Sequence, residues 1–392
     1  MKILFYRYGS ICEPDIIETF HELGHTVYEN DTEIYDKNPV LGKIIKEISD
    51  FLQLHPVDCI FSINFYPMLS EICQIYHIRY ISWVVDAPVL ELYACSIKNS
   101  YNRTFIFDHS LYSEIYDLNP DNIFYLPLAA NVSSKEKAIA DADSKLLANC
   151  SSRISFIGSL YTEKCPYNSI GPLSEYSKGY LEAIMKAQES IYGYYFIEEL
   201  LTDELIAEMK NSCSNFYTVQ DTSTLSDKRL ISQYYIGSKI TSMERIHTME
   251  LLSQHFPTTI YTGSDTSFLP DLINRGTAKT LTEMPVIFHN SDINLNTTSK
   301  SIRSGIPLRL WDIMASGGFA LSNFQAELSE YFELGIHLDT YASMDELLEK
   351  CDYYLSHEKQ RRDIAANGLE EIKRKHTYDI RVNDLITTAF SH

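Results

Sequence analysis

The densest chemistry in this sequence lies in Ser304-Gly305-Ile306-Pro307-Leu308-Arg309-Leu310-Trp311-Asp312-Ile313-Met314-Ala315-Ser316-Gly317-Gly318-Phe319. Gly305 permits a tight turn. Pro307 suits the first helical position, where its missing N–H would have no partner anyway. Amides at such a helix start point outward and carry the positive end of the dipole, which suits an anion such as a diphosphate. Asp312 falls about a turn further on, where a carboxylate can accept two hydrogen bonds from ribose hydroxyls. An ordinary helix start with a surface aspartate would read the same way. Two adjoining segments favour a ligand site. Gly158-Ser159-Leu160-Tyr161-Thr162-Glu163-Lys164 follows an apolar run, a glycine loop with a lysine in reach of phosphate. Ile293–Asn296 runs into Thr297-Thr298-Ser299-Lys300-Ser301-Ile302-Arg303, which sets amides, hydroxyls and two cations just ahead of Ser304. A loop this polar after a buried strand is more often a binding loop than a spacer.

The N-terminal third offers acids and bases. Ile81-Ser82-Trp83-Val84-Val85-Asp86-Ala87-Pro88 ends an apolar run with an acid. Asp86 can take a proton from a hydroxyl as a general base, or it can cap the next helix. Gly9-Ser10 and Asp108-His109 end two other runs on the same rim, and His109 is the alternative base. Two motifs carry less. His21-Glu22-Leu23-Gly24-His25 spells a zinc-protease pattern, but that chemistry needs both histidines on one helix, and Gly24 followed by Thr26-Val27 predicts a helix end between them. Asp141-Ala142-Asp143 lies in an acidic, apolar-poor stretch and reads as a solvated charge run. No metal is expected.

These residues need elements to hold them. Residues 1–130 alternate short apolar strands (3–8, from 26, 57–63, 79–85, 104–107, 122–126) with helices (14–23, 41–54, 67–76, 110–116). That alternation predicts a parallel sheet covered on both faces, a doubly wound, Rossmann-like α/β domain. Residues 131–152 are poor in large apolar side chains and read as a linker, with room for a helix over 134–148. A second α/β domain spans 153–377, interrupted by a helical insertion at 172–235, and a last helix at 378–392 is expected to pack on the first domain. Ligands of such sheets bind beyond the carboxyl ends of the strands, so two facing halves are expected to enclose a cleft.

Composition narrows the partners. The chain has 392 residues, 45% hydrophobic and 22% charged, which excludes a disordered or low-complexity protein. A net charge of −20 disfavours nucleic acid and anionic membrane as main partners. The eight cysteines form no Cys-x-x-Cys, and most lie in apolar runs, as expected in a reducing compartment. No apolar run has the length of a signal core or a membrane span, so a cytoplasmic location is expected.

Residues 241–378 resemble the C-terminal half of GT-B glycosyltransferases, especially the CgeB-like (spore-maturation-type) group. The likeness rests on Thr241-Ser242-Met243-Glu244-Arg245, Tyr261-Thr262-Gly263-Ser264, Ser291–Asn296, the Ser304–Phe319 block, Asn323–Leu328 and His376-Thr377-Tyr378 with Arg381. Residues 60–130, with Trp83–Pro88 and Leu126-Pro127-Leu128-Ala129, resemble the N-terminal domain often fused to it. The resemblance implies metal-independent transfer of a hexose-type sugar from a nucleotide-diphosphate sugar, UDP- or dTDP-linked, to a hydroxyl of a protein or glycan, with no further cofactor. It assigns donor binding to Gly158, Ser159, Lys164, Arg245, Gly263, Ser264, Asn296, Arg303, Ser304, Gly305, Ile306, Pro307, Leu308 and Asp312, and the acceptor side to Gly9, Ser10 and Trp83. Ser159 stands where many relatives have arginine, with Arg303 as the substitute cation. Ser304 stands where they have the first of two glutamates eight positions apart. A nucleotide-sugar epimerase and a non-catalytic sugar-nucleotide-binding scaffold are the alternatives on this architecture.

Overall fold

The computed structural model describes residues 1–36, 40–218 and 223–391. It divides into two compact units. One holds Met1–Ala129 with residues 223–225 and 376–391, and the other holds Ala130–Thr218 and Ser226–Lys375.

In the first unit the apolar runs become β1 (Lys2–Tyr6), β2 (Thr26–Asn30), β3 (Cys59–Ile63), β4 (Arg79–Val84), β5 (Asn102–Ile106) and β6 (Ile123–Tyr125). They form one parallel sheet in the order β2-β1-β3-β4-β5-β6. All five residues of β3 are buried, as its continuous apolar run requires of a strand covered on both faces. Helix Leu41–Leu54 turns Ile44, Ile48 and Leu52 inward at a four-residue spacing. Helix Glu13–Glu22 stops before Gly24, which sits at φ +81°. His25 therefore lies off that helix, 3.2 Å from the Met1 amino group. Helix Tyr378–Ser391 belongs to this unit: Tyr378 meets Trp83 edge to face at 6.0 Å, and Phe390 stacks under Arg79 at 4.5 Å.

The second unit contains β7 (Ser152–Ile157), β8 (Thr258–Tyr261), β9 (Ile273–Asn274), β10 (Ser291–Asn296), β11 (Ala320–Asn323) and β12 (Asp339–Tyr341), all parallel in the order β12-β11-β10-β7-β8-β9. This is the Rossmann order. The chain builds outward from β7 to β9, then crosses to β10 on the other side of β7, so the switch point lies between β7 and β10. Ile154, Phe156, Met249, Ile293, Leu321 and Leu347 anchor its core.

Residues 131–152 do not behave as a free linker. They form helices Val132–Ala140 and Ser144–Asn149, capped by the Asn131 and Asp143 side chains, with Val132 and Lys135 buried in the second unit. The expected insertion at 172–235 supplies, among the described residues, helices Glu175–Glu189, Ile197–Leu200, Asp203–Ser212 and Asp227–Leu230 joined by irregular segments, and the last of them runs without a break through a π-helical turn, Ile231–Ile236, into helix Gly237–His255. Pro307, expected at the first helical position, instead precedes helix Leu308–Ala315 as its N-cap. Among the described residues no helix is long and apolar enough to cross a membrane.

Candidate functional site

At the carboxyl end of β7 the chain turns through Gly158, at φ +151°. A Cβ there would lie 2.6 Å from Nη2 of Arg309, so the guanidinium rests directly against the glycine. Arg309 is the second residue of helix Leu308–Ala315, and its guanidinium also lies 5.2 Å from the Phe156 ring. Arg245, from helix Gly237–His255, enters the same place from another element. Its Nη1 donates to the Ser159 carbonyl (2.7 Å) and its Nη2 to the Thr297 carbonyl (2.9 Å), tying the loops after β7 and β10 together across the switch point. Burial, then the charge of Arg245, pushes the Arg309 guanidinium down to about 10. Burial pushes Arg245 down as well. Arg309 makes no hydrogen bond or ion pair among the described residues, and the opposing charge of Asp312 is itself engaged elsewhere. The result is a half-buried cation at the mouth of a Rossmann switch point, beside a helix N-terminus. That place and charge suit an anion.

Around it the loop is tightly built. Ser264 Oγ accepts from the Leu160 amide (3.0 Å), and Ser159 Oγ accepts from the Tyr161 amide (2.8 Å) while donating to Glu163 (3.1 Å). Gly263 lies beside Thr277. Lys164 is exposed next to Glu163, and Ile306, buried, and Pro307, half-buried, lead into the helix whose first residue is Leu308. Arg303 is half-buried near Glu198, whose carboxyl its charge acts on.

Several expected roles change. Asp312 is 6% exposed, and its Oδ1 lies 3.2 Å from Nζ of Lys135, itself 4% exposed. The carboxylate is committed to a buried ion pair rather than open to a ribose. Asn296 is fully buried, with Nδ2 donating to Thr298 and Ser322, so it shapes the loop and cannot reach a donor. Ser304 Oγ donates to Glu327 at 2.6 Å, so a buried carboxylate does stand beside position 304, although it comes from residue 327. Gly305 is buried.

In the first unit Asp86 emerges at the carboxyl end of β4 and is exposed. Its Oδ2 accepts from Tyr8 Oη (2.9 Å) and Asn64 Nδ2 (2.7 Å). Among the described residues it caps no helix; the rim aspartate that does is Asp108, whose Oδ1 accepts from the Leu111 amide at the start of helix His109–Ile115. His109 opens helix His109–Ile115 on the same edge, exposed and packed against Tyr112 and Tyr125. Trp83 is fully buried against Tyr378, which removes it from any acceptor surface. The Gly9 amide is spent on the buried carboxylate of Glu13, leaving Gly9 exposed and Ser10 half-buried at the rim. Among the described residues no three His, Cys, Asp or Glu side chains converge as a cation cage.

Sequence reasoning passed over Arg309, Tyr8, Asn64 and Lys135. Arg309 stood inside the motif, one residue into the helix. Tyr8 and Asn64 each follow a strand end by a residue or two, a visible signal once neighbouring strands are known. Lys135 gave no signal.

Comparison with known proteins agrees with this architecture. A glycosyl transferase-like family model matches residues 254–387, about a third of the chain. Comparison with curated proteins gives no match. Among solved structures, a glycosyltransferase from Rickettsia africae is similar over 100% of this chain and 98% of its own, at 13% identity and a TM-score of 0.56. Sucrose-phosphate synthase from Thermosynechococcus elongatus is similar over 100% and 99%, at 9% identity and 0.57. HepE from Anabaena, in complex with UDP and glucose, is similar over 100% of both chains, at 11% identity and 0.51. At these identities the likeness shows the fold, which is GT-B.

Proposed function

We propose that this chain is a glycosyltransferase that moves a sugar from a nucleotide-diphosphate sugar to an acceptor hydroxyl. The observation that carries the reading is the Arg309 guanidinium, without an ion-pair partner among the described residues, set against Gly158 at the switch point and the start of helix Leu308–Ala315. The diphosphate lies there, between the guanidinium and the amides of the helix start, with Arg245 adding charge from behind. Fixed cations and dipoles neutralise the departing diphosphate, so the reaction needs no metal. The glycosyl transferase-like match over 254–387 covers β8 to β12 and supports the donor role of the second unit. The Anabaena neighbour, described with UDP and glucose, supports a uridine-linked hexose, and a thymidine-linked one fits the same diphosphate chemistry.

The first unit receives the acceptor, a protein or glycan hydroxyl, with Asp86 as general base and His109 as the second candidate. The acceptor proton passes to Asp86 as the acceptor oxygen bonds to the anomeric carbon. The bond from that carbon to the phosphate oxygen breaks, and its electron pair leaves with the nucleoside diphosphate. The finer likeness to the CgeB-like group rests on the Trp83–Pro88 and Ser304–Phe319 blocks. Eight free cysteines support a reducing, cytoplasmic setting.

The test is a thermal-shift panel of nucleoside diphosphates followed by turnover of nucleotide hexoses. At ~100 times its dissociation constant the right nucleotide stabilises by about 2.7 kcal/mol. Asp86→Asn should then lower turnover by roughly 10²–10⁴ while leaving nucleotide affinity unchanged. A panel in which no nucleoside diphosphate raises the melting temperature refutes the donor site. Normal turnover in Asp86→Asn removes the base.

A further inference from the structure

The carboxyl ends of three adjacent strands, β1, β3 and β4, bring Tyr8, Asn64 and Asp86 together. Asn64 sits at φ +60°, a left-handed conformation that asparagine tolerates better than most residues, with its amide nitrogen bonded to the Trp83 carbonyl at 2.8 Å. Both ends of its side chain are in use. Oδ1 accepts from the Val85 and Asp86 amides (3.0 and 3.3 Å), and Nδ2 donates to Asp86 Oδ2 (2.7 Å) and to the Tyr8 hydroxyl (3.2 Å). Tyr8 Oη donates in turn to the same Asp86 Oδ2 (2.9 Å). Burial, then the Asp86 charge, pushes the Tyr8 phenol up, so it remains a donor at neutral pH. Asp86 is thus gripped through its backbone and through one oxygen. The other oxygen, Oδ1, has no partner among the described residues, and the side chain is exposed. A helix cap or a surface ion pair would not spend two side-chain donors on one oxygen and leave its twin open.

We propose that Tyr8 and Asn64 are positioning residues that lock Asp86 Oδ2 so that Oδ1 meets the acceptor hydroxyl. The proposal rests on the reading of Asp86 as the general base. When the acceptor O–H gives its proton to Oδ1, Oδ2 becomes the carbonyl oxygen and still accepts both hydrogen bonds. The carboxyl group therefore keeps its orientation through the proton transfer. Losing that orientation costs turnover, and a misplacement on the ångström scale is worth up to roughly 10²-fold.

The experiment uses the full chain with UDP- and dTDP-linked hexoses and water as acceptor, following release of the nucleoside diphosphate. Tyr8→Phe, Asn64→Gly and Asp86→Asn are made singly, and the first two are repeated in the Asp86→Asn background. Glycine keeps the left-handed backbone while deleting the amide. Tyr8→Phe and Asn64→Gly should each lower kcat by roughly 10- to 100-fold at unchanged donor KM. In the Asp86→Asn background each should cost nothing further, because both act through the carboxylate. An equal fold-loss in that background shows a merely structural role and overturns the proposal, as does wild-type kcat in both single variants when Asp86→Asn is inactive. Wild-type kcat in Asp86→Asn instead removes the base reading, and the positioning proposal goes with it. Melting temperatures guard against misfolding, and Tyr8→Phe, the milder change, decides the matter if Asn64→Gly does not fold.

Discussion

Replacing Arg309 with alanine should separate binding from folding, and the structure gives the sign of each. The guanidinium is pushed well below its ordinary value, down to about 10, by burial and then by the charge of Arg245. A cation whose folded pKa is depressed destabilises the fold wherever it stays protonated. That cost is present in full below about pH 10 and fades as the pH rises above it, where the folded-state group gives up its proton first. At pH 7, Arg309→Ala removes it. The contact with the Phe156 ring is lost in exchange, worth about 0.5–1 kcal/mol at a partly exposed site. Folding stability should therefore hold or rise. Binding should move the other way, because a hydrogen bond from a charged group contributes about 1.5–3 kcal/mol. The dissociation constant for UDP or dTDP should rise roughly 10- to 150-fold. Arg309→Lys, which keeps the charge and loses the planar fork, should fall between wild type and alanine. Titration calorimetry reads the affinity and urea denaturation reads the stability. Unchanged affinity in a folded Arg309→Ala protein would refute the reasoning, and so would a loss of stability above about 1 kcal/mol with affinity retained.

Two further outcomes follow from the same geometry. Asp312→Leu and Lys135→Met should each cost about 3–5 kcal/mol in urea denaturation, since each breaks a buried ion pair by removing one member of it, and the double variant should recover most of it; single-variant losses below about 1 kcal/mol would show that the pair is not what holds that helix. Turnover should survive excess EDTA, because fixed cations meet the diphosphate charge; activity lost to chelation and restored by one divalent cation would contradict this.

Much of the architecture was legible because strand and helix periods are local properties. The run Cys59–Ile63 and the four-residue spacing of Ile44, Ile48 and Leu52 announce their elements without knowledge of any neighbour. Gly158 and the start of the Leu308–Ala315 helix were legible for the same reason, since a turn and a helix start are written in consecutive residues. What a side chain touches is not local. Asp312 read as a ribose ligand until Lys135, from a stretch that looked like linker, closed on it in the interior. Trp83 sat beside a candidate base in sequence, but strand alternation points neighbouring side chains to opposite faces, and the C-terminal helix buries that one. Arg309 became the candidate anion ligand only when the crossing from β9 to β10 set β7 beside β10 and laid the guanidinium on Gly158. The sequence by itself determined two wound parallel sheets and the loops at their carboxyl ends. Which cation stays open there and which carboxylate is sealed is decided by long-range strand order, because pairing between residues more than a hundred positions apart exists only after the sheet has formed.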